Sequence, residues 1–144
     1  MTRINVINPH ILTDQHLLAE HRELTRIPNN ILSGKLNIPK DIPKKYLLGT
    51  GHVKFFVNKL LWLCSRYSSI HTECIRRGFK VTYKWPSHNN RFFDMGLMGG
   101  YAVTKEDIDM NIERLVERFP SKARFKGNLI TKEEYLVMVN RLKY

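Results

Sequence analysis

The sequence predicts an all-α fold, a compact domain of three main helices plus a short C-terminal helix, with a long irregular loop at about residues 80–103. Three observations predict it. Apolar residues recur at three- and four-residue steps in two long segments. Capping-box patterns stand at Thr104 and Thr131. A chain of 144 residues is long enough for one core and short for two, so residues 1–144 read as a single domain.

The first helix is expected to start at Thr13 or Asp14, either of which can cap it, and to run through Ile27. Pro28 marks a kink or a stop. On a 3.6-residue wheel Leu17, Leu24 and Ile27 share the apolar side, and Leu18 does not fit it. Gln15, Arg22 and Arg26 share the opposite side, with Glu23 toward its edge. Residues 33–50 carry Gly34, Pro39, Pro43 and Gly49 and read as a connector. The second helix is expected from Thr50–Gly51 to Arg77, because Val53, Phe56, Leu60, Leu63, Tyr67, Ile70 and Cys74 keep helical spacing. Gly78 suits the position after its end. Within the irregular loop, Lys80–Tyr83 is a candidate short strand. A third helix is expected from Thr104 to before Pro120, and a fourth after Thr131.

Charge sets the first functional constraint. Lys and Arg total 24 against 13 Asp and Glu, a formal net charge of +11, and the pI is about 9.9. A polyanion partner would relieve that self-repulsion, with nucleic acid first and an anionic membrane surface second. The most apolar stretch, Phe55 to Leu63, is short and contains Lys59, so it reads as core and not as a membrane span. The N-terminus lacks the apolar run of a signal peptide. Cys64 and Cys74 lie too far apart along one helix to pair, which fits a reducing cytoplasm. No Walker loop, GxGxxG or HExxH occurs, so a metal-free mechanism is the default expectation.

The chemistry-bearing candidates lie near the start. Removal of Met1 before a small residue would leave Thr2 as the N-terminus. An α-amine has a pKa of about 7.7–8.0 against about 10.4 for lysine, so its neutral fraction near pH 7 is roughly a few hundred-fold larger. It is a ready Schiff-base nucleophile. Arg22 and Arg26 sit one turn apart, spaced like a phosphate clamp. Glu23 beside them has two readings. As a catalytic carboxylate it would stabilise a cationic sugar or iminium and shuttle protons. As a structural residue it would pair with Arg26 on a solvated face.

Residues 1–26 (MTRIN, then DQHL and AEHREL-x-R), the block LGTGHVKFF-x-x-KL-x-x-L from Leu48, and ECxxRGF from Glu73 to Phe79 keep their order over residues 1–80. Together they resemble the pyrimidine dimer DNA glycosylase family, the endonuclease V type of T-even phages. The resemblance implies an all-helical bifunctional glycosylase and AP lyase that needs no cofactor and flips a nucleotide out of double-stranded DNA. It implies Thr2 as the nucleophile at the sugar C1′, Glu23 as the catalytic carboxylate, and Arg3, Arg22 and Arg26 as DNA-holding residues. Gln15 and His16 fall in the matching DQHL segment as DNA contacts. The expected substrate is a pyrimidine dimer, and the expected state is a cytoplasmic monomer acting on DNA. The resemblance fades after residue 80. The family's C-terminal segment is rich in Trp and Tyr, whereas Ser121 to Lys126 here keep only Phe125 as an aromatic. Other base lesions and abasic sites therefore stay open as substrates.

Arg114, Arg118, Lys122, Arg124 and Lys126 form a basic run that can track a phosphate strand. Arg76, Arg77, Lys80 and Lys84 form a second, for which stabilisation of the helix end is an equal explanation. His52 can face DNA or cap a helix. Trp85 can wedge into a base stack, though core packing is the simpler reading. Trp62, Phe55 and Phe56 read as core. Two rival functions remain: a basic DNA-binding protein that lost the chemistry, and an amphipathic protein at an anionic membrane.

Overall fold

The computed structural model describes residues 4–144. Its element order is a 3₁₀ turn (Pro9–Ile11), α1 (Asp14–Ser33), α2 (His52–Phe56), α3 (Leu60–Arg76), α4 (Asn89–Asp94), α5 (Lys105–Glu117), β1 (Arg124–Phe125), β2 (Asn128–Leu129) and α6 (Lys132–Leu142). The all-α expectation holds, with a two-stranded antiparallel hairpin as the only sheet among the described residues. No described helix is long and apolar enough to cross a membrane.

α1 starts where its caps require. Thr13 accepts a hydrogen bond from the His16 amide, and Asp14 occupies the first turn. The helix runs through Pro28 and ends at Gly34, which adopts φ 79°. Pro28 is therefore not a stop. Proline removes one ladder bond, at a cost of about 3 kcal/mol. Ile27 and Ile31 on either side of it stay 4% and 8% exposed, and full burial of such side chains gains roughly 1.5–3 kcal/mol each. Leu18, the misfit on the wheel, is exposed.

The expected helix over 50–77 is two helices. Between them Lys59 leaves helical geometry (φ −120°, ψ 39°) and forms an antiparallel bridge with Met98. The Leu60 and Trp62 amides, in the first turn of α3, donate to the carbonyls of Leu97 and Gly99. The segment 97–99 thus caps α3 with main chain, and Gly99 donates back to Asn58. A Cβ at Gly99 would collide with the Asn58 carbonyl. α3 ends as expected: Gly78 has φ 84°, its amide bonds Ile75, and the Phe79 amide bonds Cys74, the two bonds of a Schellman motif.

The 80–103 loop is less irregular than predicted, since α4 forms within it. No strand forms at Lys80–Tyr83, because no chain segment pairs with it; the Tyr83 carbonyl instead accepts from the Tyr67 hydroxyl. Both capping boxes form, at Thr104–Asp107 and Thr131–Glu134. Phe55, Phe56, Leu60, Leu63 and Leu24 lie in the core cluster, and Trp62 packs against it.

Two buried polar networks hold the N-terminal half together. Arg66 donates to both carboxylate oxygens of Glu20 (2.7 and 2.9 Å) and to the Ile7 carbonyl (2.5 Å). Asn5 donates to Glu20, and Asn111 donates to Asn5. The Asn111 carbonyl oxygen accepts from the Val6 and Ile7 amides at 2.8 and 3.3 Å. In the second network, Arg77 donates to Glu73, Asp14 and the carbonyls of Pro9, His10 and Leu12.

Candidate active site and nucleic-acid face

Glu23 leaves α1 on the same turn as Leu24 and lies at the border of the core, 8% exposed. Its carboxylate pairs with the Arg26 guanidinium at 2.8 Å, while the Arg26 side chain stays 52% exposed. The i,i+3 pair expected from the structural reading of Glu23 is therefore formed. The pair does not lie on an open face, however. Glu23, Arg26, Asn30 and Lys35 line a cleft of about 220 Å³ whose apolar wall includes Ile4 and Ile27. The cleft combines a shielded carboxylate, an arginine with free solvent-facing surface and the first described residue of the chain. Thr2 and Arg3 lie outside the described residues.

Arg22 points away from this cleft into a second one, of about 420 Å³, between α1 and Lys80–Tyr83. His21, also on its wall, is buried, and its Nε2 lies 3.0 Å from Nδ1 of His71. Burial, and then the His71 ring, hold the His21 pKa below its ordinary value. Tyr83 is half exposed on the rim. A larger hollow, about 640 Å³, lies elsewhere, between Val6–His10 and α3. Its buried charges are already committed, Arg66 to Glu20 and Glu73 to Arg77.

The side chains of Gln15 and His16 turn to the protein's own C-terminal half. The Gln15 amide donates to the Lys122 carbonyl at 2.9 Å and accepts from the Arg124 amide at 3.0 Å, closing a peptide-like pair. His16 Nε2 lies 3.2 Å from the Arg118 carbonyl. A carbonyl only accepts, so Nε2 carries the proton. Burial lowers the His16 pKa, and this hydrogen bond opposes it. Asp14 accepts from the Lys126 and Gly127 amides at 3.0 and 2.9 Å. Three consecutive residues at the start of α1 thus fasten residues 118–127 beside the helix.

That segment is basic on its outside. Arg118, Lys122, Arg124 and Lys126 are exposed, and Lys122 and Lys126 take φ 53° and 50°. A non-glycine residue pays roughly 1–2 kcal/mol for the left-handed region. Arg124 also donates to the Gly127 carbonyl at 2.8 Å. Arg114 is half-buried and lies 3.4 Å from Glu117. Phe125, the one aromatic of the segment, is half-buried under the Arg77 guanidinium, 5.0 Å from ring centre to carbon. Arg77 is consequently an internal residue, whereas Arg76 is exposed. Trp85 is half-buried and donates to Asn89 at 2.9 Å.

Sequence reasoning missed Asn30 and Lys35, which reach the Glu23 cleft because α1 continues past Pro28. It also missed Asn111, for which a signal existed: a polar residue on the stripe of Ile108, Ile112 and Leu115. Among the described residues no group of three or more His, Cys, Asp or Glu is arranged to hold a metal ion.

These features define a small helical protein with a carboxylate-containing cleft and a cationic face assembled from both ends of its sequence. A profile of the family described as pyrimidine dimer DNA glycosylase matches residues 1–87, and the chain belongs to that family. It is by membership a DNA repair glycosylase, with damaged DNA as its partner. The match spans α1, α2 and α3; the basic hairpin and the last two long helices lie beyond it.

Proposed function

We propose that the chain is a glycosylase with AP lyase activity whose nucleophile is the Thr2 amine, freed by removal of Met1. The observation that carries the reading is that Ile4 and Glu23 line one cleft. Two residues of chain span at most about 7 Å, and on this proposal the Thr2 amine enters the cleft that Ile4 lines.

The neutral amine attacks C1′ of the damaged nucleotide, and the N-glycosidic bond breaks with its electron pair leaving on the base, which takes up a proton. Ring opening gives an imine. Loss of a C2′ proton then expels the 3′ phosphate by β-elimination, and water hydrolyses the imine to regenerate the amine. Glu23, paired with Arg26 at the cleft, stabilises the cationic sugar and iminium and moves the C2′ proton. Arg22, Arg26 and Arg3 hold phosphates, and the exposed basic residues of 118–126 extend the contact along the backbone. Gln15 and His16 act by fastening that segment, and Arg114 adds a further phosphate contact. The favoured lesion is a pyrimidine dimer, processed by a monomer, and abasic sites are the alternative substrate.

A second reading, DNA binding without chemistry, draws on the ion pair of Glu23 and Arg26, which by itself accounts for a carboxylate on this helix. Borohydride trapping separates the two. The mature protein should form a covalent adduct with duplexes carrying a dimer or an abasic site, and N-terminal acetylation should abolish it. Mass spectrometry showing retained Met1, together with absent trapping, would sink the catalytic reading.

A further inference from the structure

We infer that His52 is a positioning residue for the N-terminal amine, acting through the backbone of Ile4; the inference rests on the Thr2 reading above. His52 is 2% exposed. Its Nδ1 lies 2.8 Å from the Leu47 carbonyl, which only accepts, so Nδ1 carries the ring proton. Nε2 is then the bare nitrogen, and it accepts the Ile4 amide at 3.1 Å. The Tyr46 hydroxyl, 3% exposed, donates to the Ile4 carbonyl at 3.3 Å. Tyr46 and His52 pack edge to face, 5.7 Å between ring centres.

Both polar backbone groups of Ile4 are thus held by buried side chains from one short segment. Residues 4–7 lie in no helix or strand. Their other backbone bonds also go to side chains, of Asn111 and Arg66. Buried main-chain groups need partners, and here those partners, together with the buried Ile4, Val6 and Ile7 side chains, set where the segment lies. His52 holds the amide of Ile4, which lines the cleft. It does not cap α2, which starts from Gly51 without a side-chain cap. A displacement of about 1 Å at a reacting group can cost 10²-fold in rate, so a hydrogen bond two residues from the nucleophile is placed to control imine formation without touching DNA.

The test compares wild type, His52→Phe, which keeps a buried ring but no acceptor, and His52→Gln, whose side-chain oxygen can take the place of Nε2. Each is measured for single-turnover borohydride trapping on an abasic duplex, for dissociation constant on the same duplex, and for amide exchange at Ile4. His52→Phe should trap at least about tenfold more slowly with affinity within about threefold, and Ile4 should lose protection. His52→Gln should restore the rate to within about threefold. A folded His52→Phe that traps at the wild-type rate would overturn the inference, as would failure of His52→Gln to rescue. If His52→Phe does not fold, Tyr46→Phe decides: trapping slowed with affinity kept supports the positioning role, and an unchanged rate overturns it. Absence of trapping by wild type itself would instead bring down the Thr2 reading, and the positioning role with it.

Discussion

Arg26 reaches one turn back along α1 to the Glu23 carboxylate, 2.8 Å away, with the acid buried and the guanidinium half exposed. The pairing fixes the carboxylate beside the cleft and leaves part of the Arg26 guanidinium exposed to meet a phosphate. Glu23→Gln should therefore keep DNA affinity within about threefold and lower strand scission by about 10²-fold or more, the range of general acid–base catalysis. Gel assays of cleavage and binding on one duplex check this. Normal cleavage by the mutant would return Glu23 to a structural role.

The hairpin offers a second test. Lys126→Gly relieves a left-handed backbone at φ 50° and removes an exposed charge. The variant should melt higher, by the equivalent of up to about 1 kcal/mol, yet bind DNA more weakly. The slope of log affinity against log salt should fall by about one. Stability and binding moving in opposite directions would mark a charge kept at the expense of the fold. An unchanged slope would remove Lys126 from the DNA contact.

Gln15→Ala should weaken DNA binding although its amide is already occupied by Lys122 and Arg124. The loss should appear as faster amide exchange over residues 118–127 together with lower affinity. Reduced affinity with unchanged exchange would instead indicate that Gln15 touches DNA directly.

The buried Glu20–Arg66 pair supports residues 5–7 as well as α1 and α3. Arg66→Met leaves an uncompensated carboxylate in the core and should cost about 3–5 kcal/mol in thermal or urea unfolding. A loss below about 1 kcal/mol would mean that the Glu20 carboxylate finds water or other partners once the guanidinium is gone.

Stability should decline in mild acid. His16 and His21 are both held below the ordinary 6.5, each chiefly by burial. Between those lowered values and about 6.5 the unfolded chain binds more protons than the folded one. The stability that neutral His16 and His21 contribute is complete above about pH 6.5 and is lost as pH falls through their folded values. Melting followed from pH 8 to 5 stays above the ordinary carboxylate range and should show this slope. His16→Gln, which keeps a donor toward the Arg118 carbonyl, should flatten it.

The sequence alone determined the helical class, the caps at Thr13, Thr104 and Thr131, the end at Gly78, the cationic balance, and the placement of Glu23 one turn from Arg26. Each is fixed by neighbours within about four residues, through hydrogen-bond geometry and periodicity. Tertiary structure decided the rest. It split the central helix at Lys59, because main chain from 97–99 took over the first turn of α3. It carried α1 through Pro28, because two flanking isoleucines gained burial. It turned Gln15, His16 and Arg77 inward, and gave the backbone of residues 4–7 to His52, Asn111 and Arg66. Those partners are 48 to 109 residues apart for the bonds of His52, Asn111, Arg66, Gln15 and His16. No local spacing encodes such pairings; they follow from which buried polar groups the packed core left in need of a partner.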